Sequence, residues 1–311
     1  MTSLLSITEV RSRIATRLVG RDRELDLLLA AVAAGRDLLI EGPPGTSKST
    51  LLGAITAEWG IPLLFVEGNA DLTPARIVGH HNPSRVLRED YSEDNFVPGP
   101  LVEAMRTGGF LYVEEFNRAP EDTLNTLLTA MAERRIAIPR VGTVEAVPTF
   151  RVVASMNPYD NVGTTRLSTS VHDRLCRLAV GYQDAEAERG IVALRTEADS
   201  MRLIADSVSL TRATREHEDI TQGSSVRGAI DLTLVAQQLA SLRQVHIPEV
   251  VDIDPPRDLP EDYRQVMLDA LYVALSGRIH LDGTADLTAE QILHGIWQDH
   301  FVLKPAAAAP G

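Results

Sequence analysis

A chain of 311 residues can bury a large core without disulfides or structural metals, and its 44% hydrophobic and 23% charged residues sit close to the globular average. A net charge of −13 argues against a general phosphate-backbone binder, which gains affinity from an excess of basic groups. The single cysteine, Cys176, excludes an intrachain disulfide and any multi-cysteine zinc or iron–sulfur site. A reducing cytoplasm is therefore expected. No signal-peptide pattern is evident, and the clearest apolar run, Leu27 to Ala34, is far below the roughly 20 residues a membrane span needs.

In chain order, an N-terminal helix is followed by a second from Arg21 to Ala34, with Leu25, Leu28, Leu29 and Val32 at helical spacing. Short apolar runs suited to buried strands come next: Asp37 to Glu41, Pro62 to Glu67, Gly109 to Glu114, Phe150 to Ser155 and Leu175 to Val180. Between them, Glu121 to Arg135 reads as a helix, with acids in its first turn, Leu124, Leu127, Leu128 and Met131 on one face, and two arginines at its end. This alternation predicts an α/β domain over residues 1–182, a parallel sheet flanked by helices. Beyond Tyr182 only helices are predicted: Asp184 to Arg195, Val226 to Leu242, Tyr263 to Leu275, and Ala289 to Trp297 behind a Thr288/Gln291 capping box. They form a smaller all-helical domain over 183–303, with an irregular Pro-rich connection at Ile247 to Pro260 and a flexible tail over 304–311.

The most informative segment runs from Leu38 to Thr50, where a buried strand enters a turn with Gly42 and Gly45, then Lys48 and Ser49, then a helical pattern. A phosphate cradle requires that order. Main-chain amides of the loop and a helix N-terminus would face the anion, Lys48 would reach the β and γ phosphates, and the Ser49 hydroxyl could ligate magnesium. Pro43, Pro44, Thr46, Ser47 and Thr50 complete the nucleotide-binding segment. The strict pattern wants glycine where Ser47 stands; a small residue there is read as a conservative departure, with Gly45 taking the unusual dihedral. A second strand ends in Glu114 and Glu115, which the pleat would send to opposite sides, one toward magnesium and one toward an attacking water. A third ends in Asn157-Pro158, where an asparagine can bond both a phosphate oxygen and a water, though an ordinary turn reads the same way.

Taken together, these segments resemble the AAA+ ATPases and, within them, the MoxR family. Gly42-Pro-Pro-Gly-Thr-Ser-Lys-Ser49 matches Walker A, and Leu111-Tyr-Val-Glu-Glu115-Phe-Asn-Arg118-Ala-Pro120 matches Walker B with its extension. Leu127-Leu-Thr-Ala-Met-Ala-Glu-Arg134 follows, then Ala154-Ser-Met-Asn157-Pro158 as sensor 1, His172-Asp-Arg174-Leu as the finger segment and Gly223-Ser-Ser-Val-Arg227 as sensor 2. The resemblance covers about residues 18 to 240 in the family's order.

That resemblance implies an ATP- and Mg2+-dependent hydrolase in which Ser49 and Glu114 organise the metal, Glu115 polarises water and Asn157 positions it. It implies that Arg174 enters a neighbouring subunit's site, within a ring that is most often a hexamer, and that Arg227 reports on the γ phosphate in its own or an adjacent site. The partner it implies is a client protein, such as one with a von Willebrand factor A domain, remodelled, matured or loaded with metal; membrane and nucleic acid are not expected partners. The motor subunit of a metal chelatase and a scaffold that binds ATP with little turnover are the alternatives. Leu72 to Gly79 through Phe96 to Pro100 looks like the family's helix-2 insert, and Arg135 to Pro148 like a hairpin ahead of sensor 1. One departure stands out: Glu114 replaces the family's usual aspartate, which implies looser metal geometry and slow turnover. His80-His81 reads as a loop pair, Cys176 as a small hydrophobe packed in an apolar strand, His294 and His300 as packing residues, and Arg118 and Arg166 as weaker finger candidates than Arg174.

Overall fold

A computed structural model describes residues 6–15, 17–89, 91, 93–158, 167–249, 259–283 and 287–302. They fall into two compact units, Met1–Gly181 and Tyr182–Gly311. The strands of the first are β1 (Leu38–Glu41), β2 (Leu63–Glu67), β3 (Gly79–His81), β4 (Phe96–Pro98), β5 (Phe110–Glu114), β6 (Arg135–Ile138), β7 (Gly142–Glu145), β8 (Arg151–Met156) and β9 (Cys176–Ala179). Its helices are α1 (Ile7–Ala15), α2 (Asp22–Ala33), α3 (Lys48–Trp59), α4 (Pro74–Val78), α5 (Pro83–Glu89), α6 (Pro100–Thr107), α7 (Glu121–Glu133) and α8 (Thr169–Arg174).

Five strands form one sheet in the order β2-β5-β8-β1-β9, with every neighbouring pair parallel. Alternation along each inner strand feeds two cores. Leu39, Leu111, Val113, Val152 and Ala154 pack on one face with residues of α6 and α7, while Leu38, Ile40, Phe110, Tyr112 and Val153 pack on the other with residues of α1, α2 and α3. Inner strands covered on both faces have no polar side to show, which is why β1, β5 and β8 read as unbroken apolar runs.

The two outer strands depart from that reading. β2 and β9 are edges, and Leu63 and Phe65 of β2 are exposed. Cys176, expected to pack inside, is also exposed, because it opens the edge strand β9, in which only Leu178 is buried. The helix expected from Glu121 to Arg135 stops at Glu133: Arg134 takes the left-handed cap at φ 53°, and Arg135 already belongs to β6, paired with Glu145 of β7. Gly142, at φ +106°, opens β7 in that antiparallel hairpin. A second small ladder joins β3 to β4, so His80 and His81 lie in a strand rather than a loop. His81 stacks edge-on against Tyr91 and Phe96, and no cluster of three metal-ligating side chains occurs among the described residues.

The second unit contains α9 (Ala185–Thr196), α10 (Met201–Ala213), α11 (Val226–Arg243), α12 (Glu261–Leu275) and α13 (Ala289–Phe301). It is not purely helical, since β10 (Ile220–Gln222) pairs antiparallel with β11 (His280–Leu281). The Thr288/Gln291 capping box is present at the start of α13. Helix α10 is not among the helices expected from periodicity because its buried face is polar as well as apolar: Arg202, Asp206, Ser207 and Thr211 are buried beside Leu203 and Leu210. Residues 250–258 of the Pro-rich connection, residues 303–311 of the tail, and Arg166 lie outside the described residues. No helix among the described residues is long and apolar enough to cross a membrane.

Candidate nucleotide site

Parallel register brings three strand ends together. Glu41 is opposite Met156, and Val113 is opposite Ala154, so the chain leaving β1, β5 and β8 emerges at one edge of the sheet. The Gly42 N–H donates to the Met156 carbonyl at 3.1 Å, which fixes the first residue of the loop beside Asn157. The loop segment, the Glu114–Glu115 pair and Asn157 therefore converge.

Within the loop each glycine has its own reason. A Cβ on Gly42 would stand 2.1 Å from the Val180 carbonyl oxygen, closer than any atom can be placed, and Gly45 takes φ +75°. Ser47 is also left-handed, at φ 65° and ψ 21°. Glycine is thus the ordinary residue there for conformational as well as spatial reasons, and serine bears a strain of about 1 kcal/mol. Ser47→Gly is expected to leave ATP affinity within about threefold, while the β-branched Ser47→Val weakens it about tenfold. Calorimetric titration with ATP checks both; equal affinity for Val and Gly would show that the backbone there relaxes freely.

Lys48 is only 8% exposed, and its Nζ donates to the Gly42 and Pro43 carbonyls, each at 2.8 Å. Thr46 Oγ1 donates to the same Pro43 carbonyl at 2.8 Å, so the loop is wound around the ammonium. Ser47 makes no side-chain cap on α3, which leaves the first-turn amides to other acceptors, and Ser49 and Thr50 are exposed on that turn. Buried ammonium, uncapped amides and a glycine cradle are what a polyphosphate tail fits. A hydroxyl from Ser49 and a carboxylate from Glu114 are hard oxygen donors suited to magnesium.

The acidic pair diverges for a reason other than pleating. β5 ends at Glu114, and Glu115 turns off the strand at φ 52° and ψ 44°. Glu115 Oε2 lies 3.2 Å from Arg118 Nη1, both side chains being about 40% exposed. Arg118, a finger candidate by sequence, thus serves as the counter-charge of Glu115. Glu114 Oε1 accepts from the Tyr112 hydroxyl at 3.4 Å, and that hydroxyl also bonds Ser155 Oγ at 2.9 Å. Burial, and then the nearby Glu114 charge, push the Tyr112 hydroxyl well above its usual range, so it stays a neutral donor. Sequence reasoning missed Tyr112 and Ser155, although Tyr112 is two residues before Glu114 and so shares its strand face. It also missed Arg177, whose Nε donates at 2.6 Å to buried Glu41, the residue before Gly42.

One sequence-proposed residue is not gathered here. Arg174 precedes β9, whose Cys176 pairs with Leu38, so it lies at the opposite end of the sheet from Gly42, beyond the roughly 13 Å that separate Leu38 from Gly42 along β1. Its Nη1 donates to the Ser170 carbonyl at 3.0 Å. Arg227, in the second unit, is exposed on the first turn of α11, its N–H donating to Ser225 Oγ at 3.4 Å.

Residues 37–175 match the AAA domain of the dynein-related subfamily. The chain is 29% identical over 229 residues to the gas vesicle ATPase GvpN of Ancylobacter aquaticus, an alignment covering 67% of this chain and 62% of that protein, under two thirds of its length. It is 28% identical over 263 residues to gas vesicle ATPase GvpN2 of Halobacterium salinarum, covering 79% and 74%. A crystal structure from Cytophaga hutchinsonii described as a candidate ATPase shares the fold, with a TM-score of 0.50 and 23% identity over 94% of this chain and 93% of that one. The strand order, the Lys48 loop and these similarities agree: the chain has the AAA+ P-loop NTPase fold.

Proposed function

We propose that this chain is an AAA+ ATPase of the MoxR type, hydrolysing ATP with Mg2+ to remodel, mature or load metal into a client protein, such as one with a von Willebrand factor A domain. The observation that carries the hydrolytic part is the meeting of the Lys48 loop, Glu114, Glu115 and Asn157 at one sheet edge. Lys48 and the α3 amides bind and orient the phosphates. Ser49 and Glu114 would hold magnesium, which when bound neutralises charge on the β and γ phosphates. Glu115 accepts the proton of the attacking water, and Asn157 orients that water. Tyr112 and Ser155 keep the longer Glu114 side chain in place.

Arg174 stands too far along the sheet to serve its own loop, which supports a role in a neighbouring copy's site and hence a ring, in the family most often a hexamer. Arg227 senses nucleotide from the helical unit. The β3–β4 insert and the β6–β7 hairpin are the elements that act on the client, and the single cysteine suits a cytoplasmic setting. Mass measurement with and without ATP tests the assembly. ATP is expected to convert the wild type to a ring, and Lys48→Ala to stay unassembled; a ring formed equally by both would remove the coupling between nucleotide and assembly.

A further inference from the structure

At the end of the sheet opposite the phosphate loop lies a cavity of about 460 Å3. Its charged lining is Arg36, Arg134, Arg151 and Arg174 against one carboxylate, Asp37. In a chain of net charge −13, that local excess opposes the sign of the whole. The four arginines come from the turn before β1, the cap of α7, the first residue of β8 and the last residue of α8, so only the fold assembles them.

One carboxylate cannot offset four guanidiniums. Asp37 Oδ1 accepts the Val152 N–H at 2.7 Å and its Oδ2 is 3.8 Å from Arg134 Nη1, while burial pushes its carboxyl above the usual range. Arg134 and Arg151 are oriented by neutral acceptors. Arg134 Nη2 donates to the Phe150 carbonyl at 2.5 Å, and Arg151 Nη1 donates to the Pro148 carbonyl at 2.7 Å and the Phe150 carbonyl at 2.5 Å. Carbonyls hold a guanidinium in place without cancelling its charge. Arg151 Nε is buried with no hydrogen-bond partner among the described residues, and burial followed by the like charge of Arg134 lowers its pKa. Gly35 permits the arrangement: at φ +76° it carries no Cβ, and one would stand 2.9 Å from Arg151 Nη2.

Two fixed guanidiniums with spare donors, and two more exposed at the rim, match the planar, multi-oxygen geometry of a phosphoryl group. We infer that this cavity is an oxyanion site that takes a phosphoryl group through Arg36, Arg134, Arg151 and Arg174. The anion is a free one, taken from solution. The site lies apart from the chain's own phosphate loop, so it stands whether or not that loop hydrolyses ATP.

The probe is pyrophosphate, titrated calorimetrically into the full chain carrying Lys48→Ala, which takes the loop's own affinity out of the reading. Saturable binding by dilute protein, weakened about tenfold or more by Arg36→Ser and by Arg151→Met, is the expected result and identifies the free anion as ligand. Arg36 is exposed, so its substitution tests the site even if Arg151→Met does not fold. No binding, or binding that neither substitution alters, overturns the site.

Discussion

Glu115→Gln is expected to abolish phosphate release while ATP still binds. The amide keeps the shape of the side chain and does not alter the left-handed backbone at φ 52°. It cannot take a proton from water, and loss of a positioned base costs about 10²–10⁴-fold in rate. Binding should survive because the ammonium and amides that grip the phosphates belong to Lys48 and α3, on a different strand end from Glu115. The variant also removes the charge that pairs with Arg118, so a small change in affinity is compatible with the scheme. Single-turnover phosphate release and equilibrium nucleotide binding, measured side by side, separate the effects. Equal and near-zero release from wild type and variant would favour an ATP-binding scaffold over a motor; equal and substantial release would take the water-activating role away from Glu115.

What the sequence disclosed follows from where burial is two-sided. β1, β5 and β8 are covered on both faces, so their interior positions are apolar but for Ser155, and that pattern puts the motifs that follow them on strand ends. The edge strands carry the same apolar signal without the same burial, and the expectation for Cys176 fails for that reason. Two other features depend on partners distant in sequence. Arg174 is recognisable by its Asp-Arg context, but its separation from the loop emerges only when β9 is paired with β1. Tyr112 reads as one more apolar residue of β5, since the hydroxyl and the carboxylate it joins come from two strands. Ser47 shows a subtler limit: its small size is legible, whereas its left-handed backbone is not.

The same limit hides α10, and there the cause is a buried ion pair. Asp206 is 1% exposed and holds three side chains through four contacts: its Oδ2 accepts from Arg202 Nε at 2.7 Å and from the Tyr263 hydroxyl at 2.9 Å, and its Oδ1 meets Arg202 Nη2 at 2.5 Å and His300 Nε2 at 2.8 Å. Arg202 is 2% exposed and Tyr263 is fully buried, so α10, α12 and α13 meet on a polar knot inside an apolar core. Burial, then the Asp206 charge, push the Tyr263 hydroxyl far above its usual range, so it remains a donor at any working pH. Removing the carboxylate strands the Arg202 charge in the interior. Asp206→Ala is therefore expected to destabilise the helical unit by about 3–5 kcal/mol, whereas replacing the pair together, Arg202→Met with Asp206→Leu, recovers most of that loss. A chain of two units does not unfold in one step, so the measurement needs a local probe. Trp297, 7% exposed and bonded through Nε1 to the Arg264 carbonyl at 2.9 Å, reports on this core, and a Trp59→Phe background silences the other tryptophan. Urea unfolding followed by Trp297 fluorescence should show the midpoint fall for the single substitution and return for the double one; a single substitution that costs under about 1 kcal/mol would mean that water reaches Arg202 and the knot is not sealed.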